Sequence, residues 1–288
     1  WMKRGGIFGH IVVVLMAASA PSAMAQDSAL RLGKAGYFEA PGANVLVFSN
    51  WYDGLFADSK ISGVEIIQQD RRIATNGDVR LSPTPGQWDA IGQMVERKVD
   101  AQSGAITATL EYPDHDFRYI IRAVPQGGDL LLTVELPRAL PAALVGKAGL
   151  NLEFLPSAYF RNSYFVDGKA GAFPLYPAGA MERTAERNPA SGRSDGPGAE
   201  PLPMAQGSDF VLAPSDAARR VRVRSETPIA LYDGRNQAQN GWFVLRSLLP
   251  AGKTGVVLRW TLSPSSVPGW VRPPSIGHSQ LGYAPTQQ

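Results

Sequence analysis

Alternation of apolar and polar residues with a period of two is the feature that most restricts how this chain can fold. In residues 105–112 (AITATLEY) and 129–136 (DLLLTVEL), every second side chain is apolar or aromatic. Successive side chains of a β-strand point to opposite faces, so such segments bury one face and leave the other polar, which is typical of antiparallel sheets. The sequence therefore predicts an all-β protein.

The same pattern recurs in short runs separated by turn residues. Residues 117–124 alternate as well, and 113–116 (PDHD) predict a hairpin turn that joins them to 105–112. Further strand candidates are 45–49, 64–69, 79–82, 95–99, 149–155, 208–212, 220–224, 228–232, 242–248 and 255–262, and a turn is predicted at Asn76-Gly77-Asp78. Many short strands at this spacing predict a large antiparallel β-sandwich, of the supersandwich type, rather than alternating strands and helices.

The amino terminus has the three-part organisation of a secretory signal peptide. A basic start at 2–4 (MKR) precedes an apolar stretch over 7–20, and 23–25 (AMA) fits the small-x-small cleavage pattern. The apolar stretch is about 14 residues long, short of the roughly 20 that span a bilayer as a helix; a retained membrane anchor is the alternative. We expect residues 1–25 to be removed and the mature protein to be periplasmic or extracellular, with no membrane attachment after cleavage.

Cysteine content, charge and histidine spacing exclude several classes of protein. The chain has no cysteine, which excludes disulfides, thiol nucleophiles and thiolate metal sites. Loss of the first 25 residues would leave 26 basic and 25 acidic side chains. Without clustered positive charge, no nucleic-acid partner is expected. His115 and His278 have no metal-binding spacing, so we expect no metal and no cofactor.

Residues 168–207 depart from the strand pattern. They are rich in Gly, Pro, Ala, Ser and Arg, and 186–207 contain few residues that could form a core. They are either a separator between two domains or a long loop inserted into one sandwich. Strand candidates of similar character resume afterwards, which favours the loop. We therefore expect one β-sandwich domain over 26–272.

No catalytic motif is present, and carboxylates that converge in space cannot be identified from spacing, so no catalytic residue is assigned. Aromatic residues in predicted loops are the candidate glycan contacts: Trp51, Tyr52, Trp88 and Tyr159. Their ring faces could stack on sugar rings, since an aromatic side chain combines an apolar face with a polar edge or tip. The alternative, which we favour, is that they cap the ends of the sandwich core.

The end of the chain carries a family resemblance. Residues 275–285 (SIGHSQLGYAP) resemble the opening of the immunoglobulin-like module of glycoside hydrolase family 9, the cellulase family, where a strand reads NQ-x-GY-x-P. Gln280, Gly282, Tyr283 and Pro285 match in spacing, and Ser279 stands where Asn is usual. Three further blocks are similar to the β-rich region that precedes this module in some bacterial members: NWYDGLFADSKISGVEII, ATNGDVRLSPTPGQWD and LNLEFLPSAYF.

The resemblance implies that 26–272 form a non-catalytic amino-terminal accessory β-domain of an exported family 9 protein acting on β-glucan, and that 273–288 begin the immunoglobulin-like module. Family catalysis resides in a downstream helical barrel with a DAGD-like motif and a distant Glu. This chain has no DAGD, so no catalytic residue carries over and the chain itself is expected to be inactive. The expected partner is β-glucan or the catalytic domain.

Two other classes remain open. A stand-alone polysaccharide-active β-sandwich enzyme, such as a lyase or an epimerase-like protein, would need His or Tyr to converge with Arg or Lys in a groove. An exported carbohydrate-binding or plain structural protein would need no such convergence.

Overall fold

The computed structural model describes Trp1 and residues 29–53, 59–61, 63–86, 89–184, 198–236 and 241–276. Of these residues, 55% lie in strands and 6% in short helices. All pairings between the named strands are antiparallel, and the prediction of an all-β sandwich is confirmed. The expected cleavage site and the family-like segment from Ser279 onward lie outside the described residues.

The secondary structure of the described residues consists of 20 strands and four short helices. The strands are β1 (Arg31–Leu32), β2 (Phe38–Ala40), β3 (Ala43–Val47), β4 (Trp51–Asp53), β5 (Ser59–Ile61), β6 (Val64–Gln68), β7 (Arg71–Arg80), β8 (Gln93–Asp100), β9 (Ala105–Tyr112), β10 (Phe117–Gln126), β11 (Asp129–Leu136), β12 (Gly149–Phe154), β13 (Ser163–Val166), β14 (Lys169–Ala172), β15 (Met181–Thr184), β16 (Gly198–Pro201), β17 (Ala205–Leu212), β18 (Val221–Asp233), β19 (Phe243–Leu248) and β20 (Gly255–Pro264). The helices are one α-helical turn, α1 (Pro156–Tyr159), and 3-10 helices at Pro113–His115, Ala142–Leu144 and Gly234–Asn236. Within the described part of the chain, no helix has the length and apolar character needed to cross a membrane.

Sixteen strands form one large curled sheet. Its main path runs β1-β2-β3-β6-β7-β12-β19-β18-β20-β11-β10-β9-β8, and β17, β13 and β14 branch from β18. The hairpins β4–β5 and β15–β16 form separate two-stranded sheets. Neighbours in the middle of the path, such as β7, β12 and β19, come from distant parts of the chain, so the sheet depends on long-range pairing.

The period-two segments form the strands that were predicted for them. β9 and β10 pair as a hairpin through the 3-10 helix at Pro113–His115, so the predicted turn is confirmed. β10 and β11 each bury alternate residues, and Leu132 of β11 lies opposite Trp260 of β20. Trp260 is fully buried, and its ring nitrogen donates a 3.0 Å hydrogen bond to Ser247 Oγ on β19. This bond links two strands of the sandwich core.

The long strand β18 connects two parts of the sheet. Its first residues, 221–225, pair with β20, and its last residues, 230–233, pair with β19. Between them, the pairing with β17 shifts register at Gly207 and Asp209. The sequence predicted two strands here; the structure has one, because Pro228 lacks the N–H of a ladder and interrupts the pairing without ending the strand.

The turn predicted at Asn76-Gly77-Asp78 is wrong, since these residues lie inside β7. Asn76 has a φ of 52°. Near it, β7 shifts register in its pairing with both neighbouring strands, β6 and β12. A residue in the left-handed region can form a β-bulge as well as a turn. A Cβ added to Gly77 would lie 2.5 Å from the Cβ of Val64, so glycine permits the close approach of β6 to β7.

The Gly- and Pro-rich region over 168–207 contains ordered strands at both ends. β14 lies at its start and the first residues of β17 at its end, and both belong to the large sheet. β15 and β16 pair with each other within it. Residues 185–197 lie outside the described part of the chain.

The segment that follows β20 crosses the turn between β2 and β3. Val267 donates a 2.9 Å backbone hydrogen bond to the Pro41 carbonyl, and the Trp270 ring packs on Gly42, where an added Cβ would lie 3.1 Å from Cγ of Trp270. Residues 273–276 are exposed and have no secondary structure. The chain after β20 is therefore anchored to the sandwich up to about Trp270.

Candidate functional site

The structure describes one of the four aromatic side chains proposed as glycan contacts. Tyr159 ends α1 and is fully buried: its hydroxyl donates a 2.8 Å hydrogen bond to the Arg219 carbonyl, and its ring meets Phe154 edge to face at 5.4 Å between centroids. This is the position that the core-capping alternative describes. Trp51 and Tyr52 lie in β4, but their side chains are outside the described part, as is the whole of Trp88.

Three adjacent strands of the large sheet carry a row of buried polar side chains. On β12, apolar residues alternate with Asn151 and Glu153, which therefore share one face. Asn151 lies opposite Asp78 of β7 on one side and opposite Arg246 of β19 on the other. Arg80, two residues after Asp78, ends β7, and all five residues are buried. We call Asp78, Arg80, Asn151, Glu153 and Arg246 the polar row.

Arg246 organises one side of the polar row. Its Nη1 donates hydrogen bonds to Asn151 Oδ1 at 2.5 Å and to the Ser82 carbonyl at 2.8 Å, and its Nη2 donates to the Lys147 carbonyl. Burial lowers the pKa of Arg246 to about 10, while the phenol of Tyr232 and the carboxylate of Glu200 act in the opposite direction. The guanidinium thus stays charged at neutral pH and is satisfied mainly by neutral oxygen atoms.

Asp78 forms the centre of the other side. Its Oδ1 accepts hydrogen bonds from the Tyr119 hydroxyl at 2.9 Å and from the Val79 amide at 2.7 Å. Burial raises the pKa of Asp78 to about 7, although the charge of Arg80 and both hydrogen bonds act to lower it. This carboxyl group therefore changes its charge near neutral pH.

Arg80 and Glu153 are a second pair of buried charged groups. Burial acts to lower the pKa of Arg80. The carboxylate of Glu153 and other nearby groups outweigh burial, so the pKa is raised overall. Burial raises the pKa of Glu153, opposed by Arg80 and by a 2.7 Å hydrogen bond from Asn76 Nδ2. Arg80 Nε and Glu153 Oε1 are buried without a hydrogen-bond partner among the described residues. Arg80 and Glu153 therefore interact through their charges, and Asn76 holds the Glu153 carboxylate by a hydrogen bond.

The polar row and its neighbour Tyr119 together contain the residue types that acid–base chemistry on an acidic sugar would use. A carboxyl group with a pKa near 7, a tyrosine hydroxyl and a guanidinium come together at Asp78, Tyr119 and Arg80. Tyr112 adds a second tyrosine, whose hydroxyl donates a 2.7 Å hydrogen bond to the Val79 carbonyl. The sequence did not predict this convergence.

Two described stretches between β7 and β8, residues 81–86 and 89–92, pack on the polar row and on Tyr119. Asp78 is 6% exposed and Tyr119 is not exposed at all. A Cβ added at Gly92 would lie 1.9 Å from the Tyr119 hydroxyl oxygen, and the Ser82 carbonyl accepts a 3.2 Å hydrogen bond from Asn151 Nδ2. The backbone of these stretches thus packs directly on the polar side chains, and a polysaccharide cannot reach them in this conformation.

A separate cleft of about 380 Å³ lies where β17, β18 and the end of β20 meet. It is lined by Val211, Arg220, Arg222, Ser263, Pro264, Ser265 and Ser266. The guanidinium of Arg222 is bound by both carboxylate oxygens of Asp209, at 2.8 and 2.5 Å, and Arg220 donates a 3.1 Å hydrogen bond to Ser265. Both cations therefore already have partners within the protein.

A scan against protein-family models and a search of curated proteins find no match to this chain. Across the described ranges, no group of three or more acidic or histidine side chains could hold a metal ion.

The signal for the polar row was present in the sequence but incomplete. The sequence predicts a strand over 149–155. Asn151 and Glu153 share one face of that strand, and an alternating strand ordinarily turns such a face to water. The partner Arg246 lies 95 residues further along the chain. No local pattern indicates that these strands become neighbours or that a loop covers the face.

Proposed function

We propose that this chain is the amino-terminal accessory β-domain of an exported glycoside hydrolase of the family 9, cellulase type, acting on β-glucan, and that it does not itself catalyse hydrolysis. The family assignment is supported by the sequence blocks described above and by an all-β fold of the size that the resemblance implies. In this role the domain either contacts β-glucan or packs on the catalytic domain. Its location is periplasmic or extracellular.

The observation that carries the non-catalytic role is the burial of the polar row. Its two carboxyl groups are 6% and 2% exposed, and both are engaged by the protein's own groups: Asp78 by Tyr119 and Val79, and Glu153 by Asn76. Glycoside hydrolysis needs two carboxyl groups on either side of a bound glycosidic bond. Groups that lie under the backbone of the chain after β7 cannot flank a sugar, so they act here in holding strands together.

The experiment is an activity and binding assay on the purified mature chain. We expect no reducing sugar from soluble β-glucans under conditions in which complete family 9 enzymes are active, together with either retention on β-glucan or binding to the catalytic domain encoded downstream. Turnover abolished by a single carboxylate substitution would contradict the proposal. So would a downstream reading frame that encodes neither an immunoglobulin-like module nor a catalytic domain with a DAGD-like motif.

One observation favours a second candidate, a lyase or epimerase-like enzyme. Asp78, Tyr119 and Arg80 form the Tyr–Arg convergence that such an enzyme requires, and the pKa of Asp78 is suited to proton abstraction at neutral pH. The backbone at Ser82 and at Gly92 would have to move away to admit a substrate. Release of unsaturated, ultraviolet-absorbing products from uronate-containing polysaccharides, lost in Asp78→Asn, would support this candidate over the accessory role.

A further inference from the structure

Tyr176 is an exposed aromatic residue that is not part of the hydrophobic core. Its side chain is 75% exposed, whereas Phe173, three residues earlier, is 1% exposed and packs on Tyr159 and Phe243 in the core. Single exposed apolar residues are common on protein surfaces and need no explanation by themselves. What distinguishes Tyr176 is how firmly the backbone around it is held.

Arg235 and Asn236 hold the chain on both sides of Tyr176. Arg235 donates 2.8 Å hydrogen bonds from Nη1 to the Leu175 carbonyl and from Nη2 to the Pro174 carbonyl. Asn236 Nδ2 donates a 3.4 Å hydrogen bond to the Gly179 carbonyl. Both donors belong to the 3-10 helix at Gly234–Asn236, so one rigid turn fixes the segment from 174 to 179.

Arg235 is itself fixed by its surroundings. Its Nε and Nη2 bind the two carboxylate oxygens of Asp233 at 2.8 and 2.7 Å, and Asp233 is 1% exposed. The guanidinium carbon lies 4.5 Å from the ring centre of Phe243 and 5.2 Å from that of Phe160, within the range of a cation–π interaction. A bidentate ion pair between aromatic rings leaves the guanidinium little freedom to move.

The local sequence reduces the freedom of the segment further. Pro174 and Pro177 each fix their own φ, and Pro177 also disfavours the helical region for the residue before it, which is Tyr176. A tyrosine side chain has only two rotatable angles and loses little entropy on binding. Tyr176 is therefore an exposed aromatic residue on a backbone that is held in place.

We propose that Tyr176 is a stacking surface for a pyranose ring of a β-glucan chain, an inference that rests on the proposed function. The hydroxyls of β-linked glucose are equatorial, so both ring faces present C–H groups, which suit the negative face of an aromatic ring. A backbone that is already held does not have to be ordered when the ring binds. Residues 174–179 thus present the aromatic ring through which the accessory domain contacts the polysaccharide.

Affinity electrophoresis in gels containing soluble mixed-linkage β-glucan tests this directly. Tyr176→Ala should weaken retention about tenfold, the usual scale for loss of one stacked aromatic contact. Tyr176→Phe should bind like the unaltered protein, because stacking needs the ring and not the hydroxyl. The matched control is Phe165→Ala, which removes an aromatic ring that is 37% exposed on β13 and should not change retention.

A second variant tests the positioning by Arg235. Arg235→Lys keeps the positive charge but cannot bind Asp233 and two carbonyls together, so retention should fall while the Tyr176 ring remains present. Limited proteolysis within 174–180 should become faster in this variant, because the Pro174 and Leu175 carbonyls lose their donor, and a structural effect elsewhere would not be confined to this segment. A β-galactan gel should retain the protein less, since its axial hydroxyl interrupts one ring face.

Two outcomes overturn the inference. If the unaltered protein is retained and Tyr176→Ala is retained equally, Tyr176 is not the contact, but the accessory function stands. If the unaltered protein is not retained by mixed-linkage β-glucan or cellulose, the contact does not exist, and binding to the catalytic domain remains as the accessory role. Catalytic turnover by the chain would instead contradict the proposed function itself, whatever Tyr176 does.

Discussion

Arg97, on the edge strand β8, donates a 2.7 Å hydrogen bond from Nε to the main-chain carbonyl of Val47 on β3. Nη2 of the same side chain donates a 2.6 Å hydrogen bond to the carbonyl of Gly36, in the turn between β1 and β2. β8 and β1 are the two ends of the main path of the sheet. One arginine therefore joins the two ends of the curled sheet.

Removal of this side chain should destabilise the fold. In Arg97→Ala, two carbonyl groups lose their charged donor, and we expect the free energy of unfolding to fall by about 2 kcal/mol, measured by urea denaturation. The control is Lys98→Ala, on the next residue of the same strand, whose side chain is 69% exposed and paired only with Glu96. That change should stay within about 0.5 kcal/mol. Equal effects of the two substitutions would show that Arg97 does not join the sheet ends.

Asp78 should make the protein less stable as the pH rises. Its pKa is about 7 in the folded protein and has the ordinary value of 3.8 when unfolded. Between these values the folded state binds one more proton than the unfolded state, so the free energy of unfolding falls with rising pH. For this group the loss reaches about 4 kcal/mol by about pH 7 and then stays constant.

Asp78→Asn isolates this effect. The amide keeps an oxygen that can accept from Tyr119 but cannot titrate, so most of the stability difference between about pH 5 and about pH 8 should disappear. Asp116→Asn is the control: its hydrogen bond with Arg138 holds the pKa of Asp116 below the usual range, so its contribution changes only at more acid pH. An unchanged pH dependence in Asp78→Asn, measured by urea unfolding, would show that Asp78 does not titrate near neutrality.

Arg246 should be among the residues most sensitive to substitution. Arg246→Met leaves the carbonyls of Ser82 and Lys147 and the side-chain oxygen of Asn151 without their donor, and should cost about 3 kcal/mol or more. Arg259→Met changes an exposed arginine on the neighbouring part of the sandwich and should change stability by no more than about 0.5 kcal/mol. Hydrogen exchange should also increase over 80–84 in the first variant only. Unaltered protection there would show that Arg246 does not hold the backbone at Ser82 on the polar row.

Export can be tested independently of the fold. Intact-mass and amino-terminal analysis of protein recovered from the periplasm or the medium should place Gln26 at or near the new amino terminus. The reason is the small-x-small pattern at 23–25 after a short apolar stretch. Replacement of Ala25 by a bulky residue should block cleavage, whereas the same replacement at Ser28 should not. A mature product that begins at Met2 and stays in the membrane would contradict the prediction.

Much of the fold was accessible from local pattern. The strands over 105–112, 117–124 and 129–136 were predicted with their hairpin turn, because alternation and turn chemistry are properties of neighbouring residues. The error at Asn76-Gly77-Asp78 shows the limit of such reasoning. Turn residues favour a backbone conformation that also occurs in a β-bulge, such as the one inside β7. Only the pairing with the strands on either side decides whether a turn or a bulge forms.

By itself, the sequence determined the class of fold and the spacing of its strands, since a side-chain period of two admits a half-buried sheet and little else. Only the tertiary structure decided which strands are neighbours and which faces are covered. Asn151 and Glu153 occupy the face of β12 that local pattern assigns to water, yet they are buried beside Arg246 and Asp78. Tyr176, by contrast, is aromatic and exposed, and the backbone just before it is held by Arg235, 59 positions later. Both outcomes depend on contacts between residues far apart in the chain, and such contacts have no local signature.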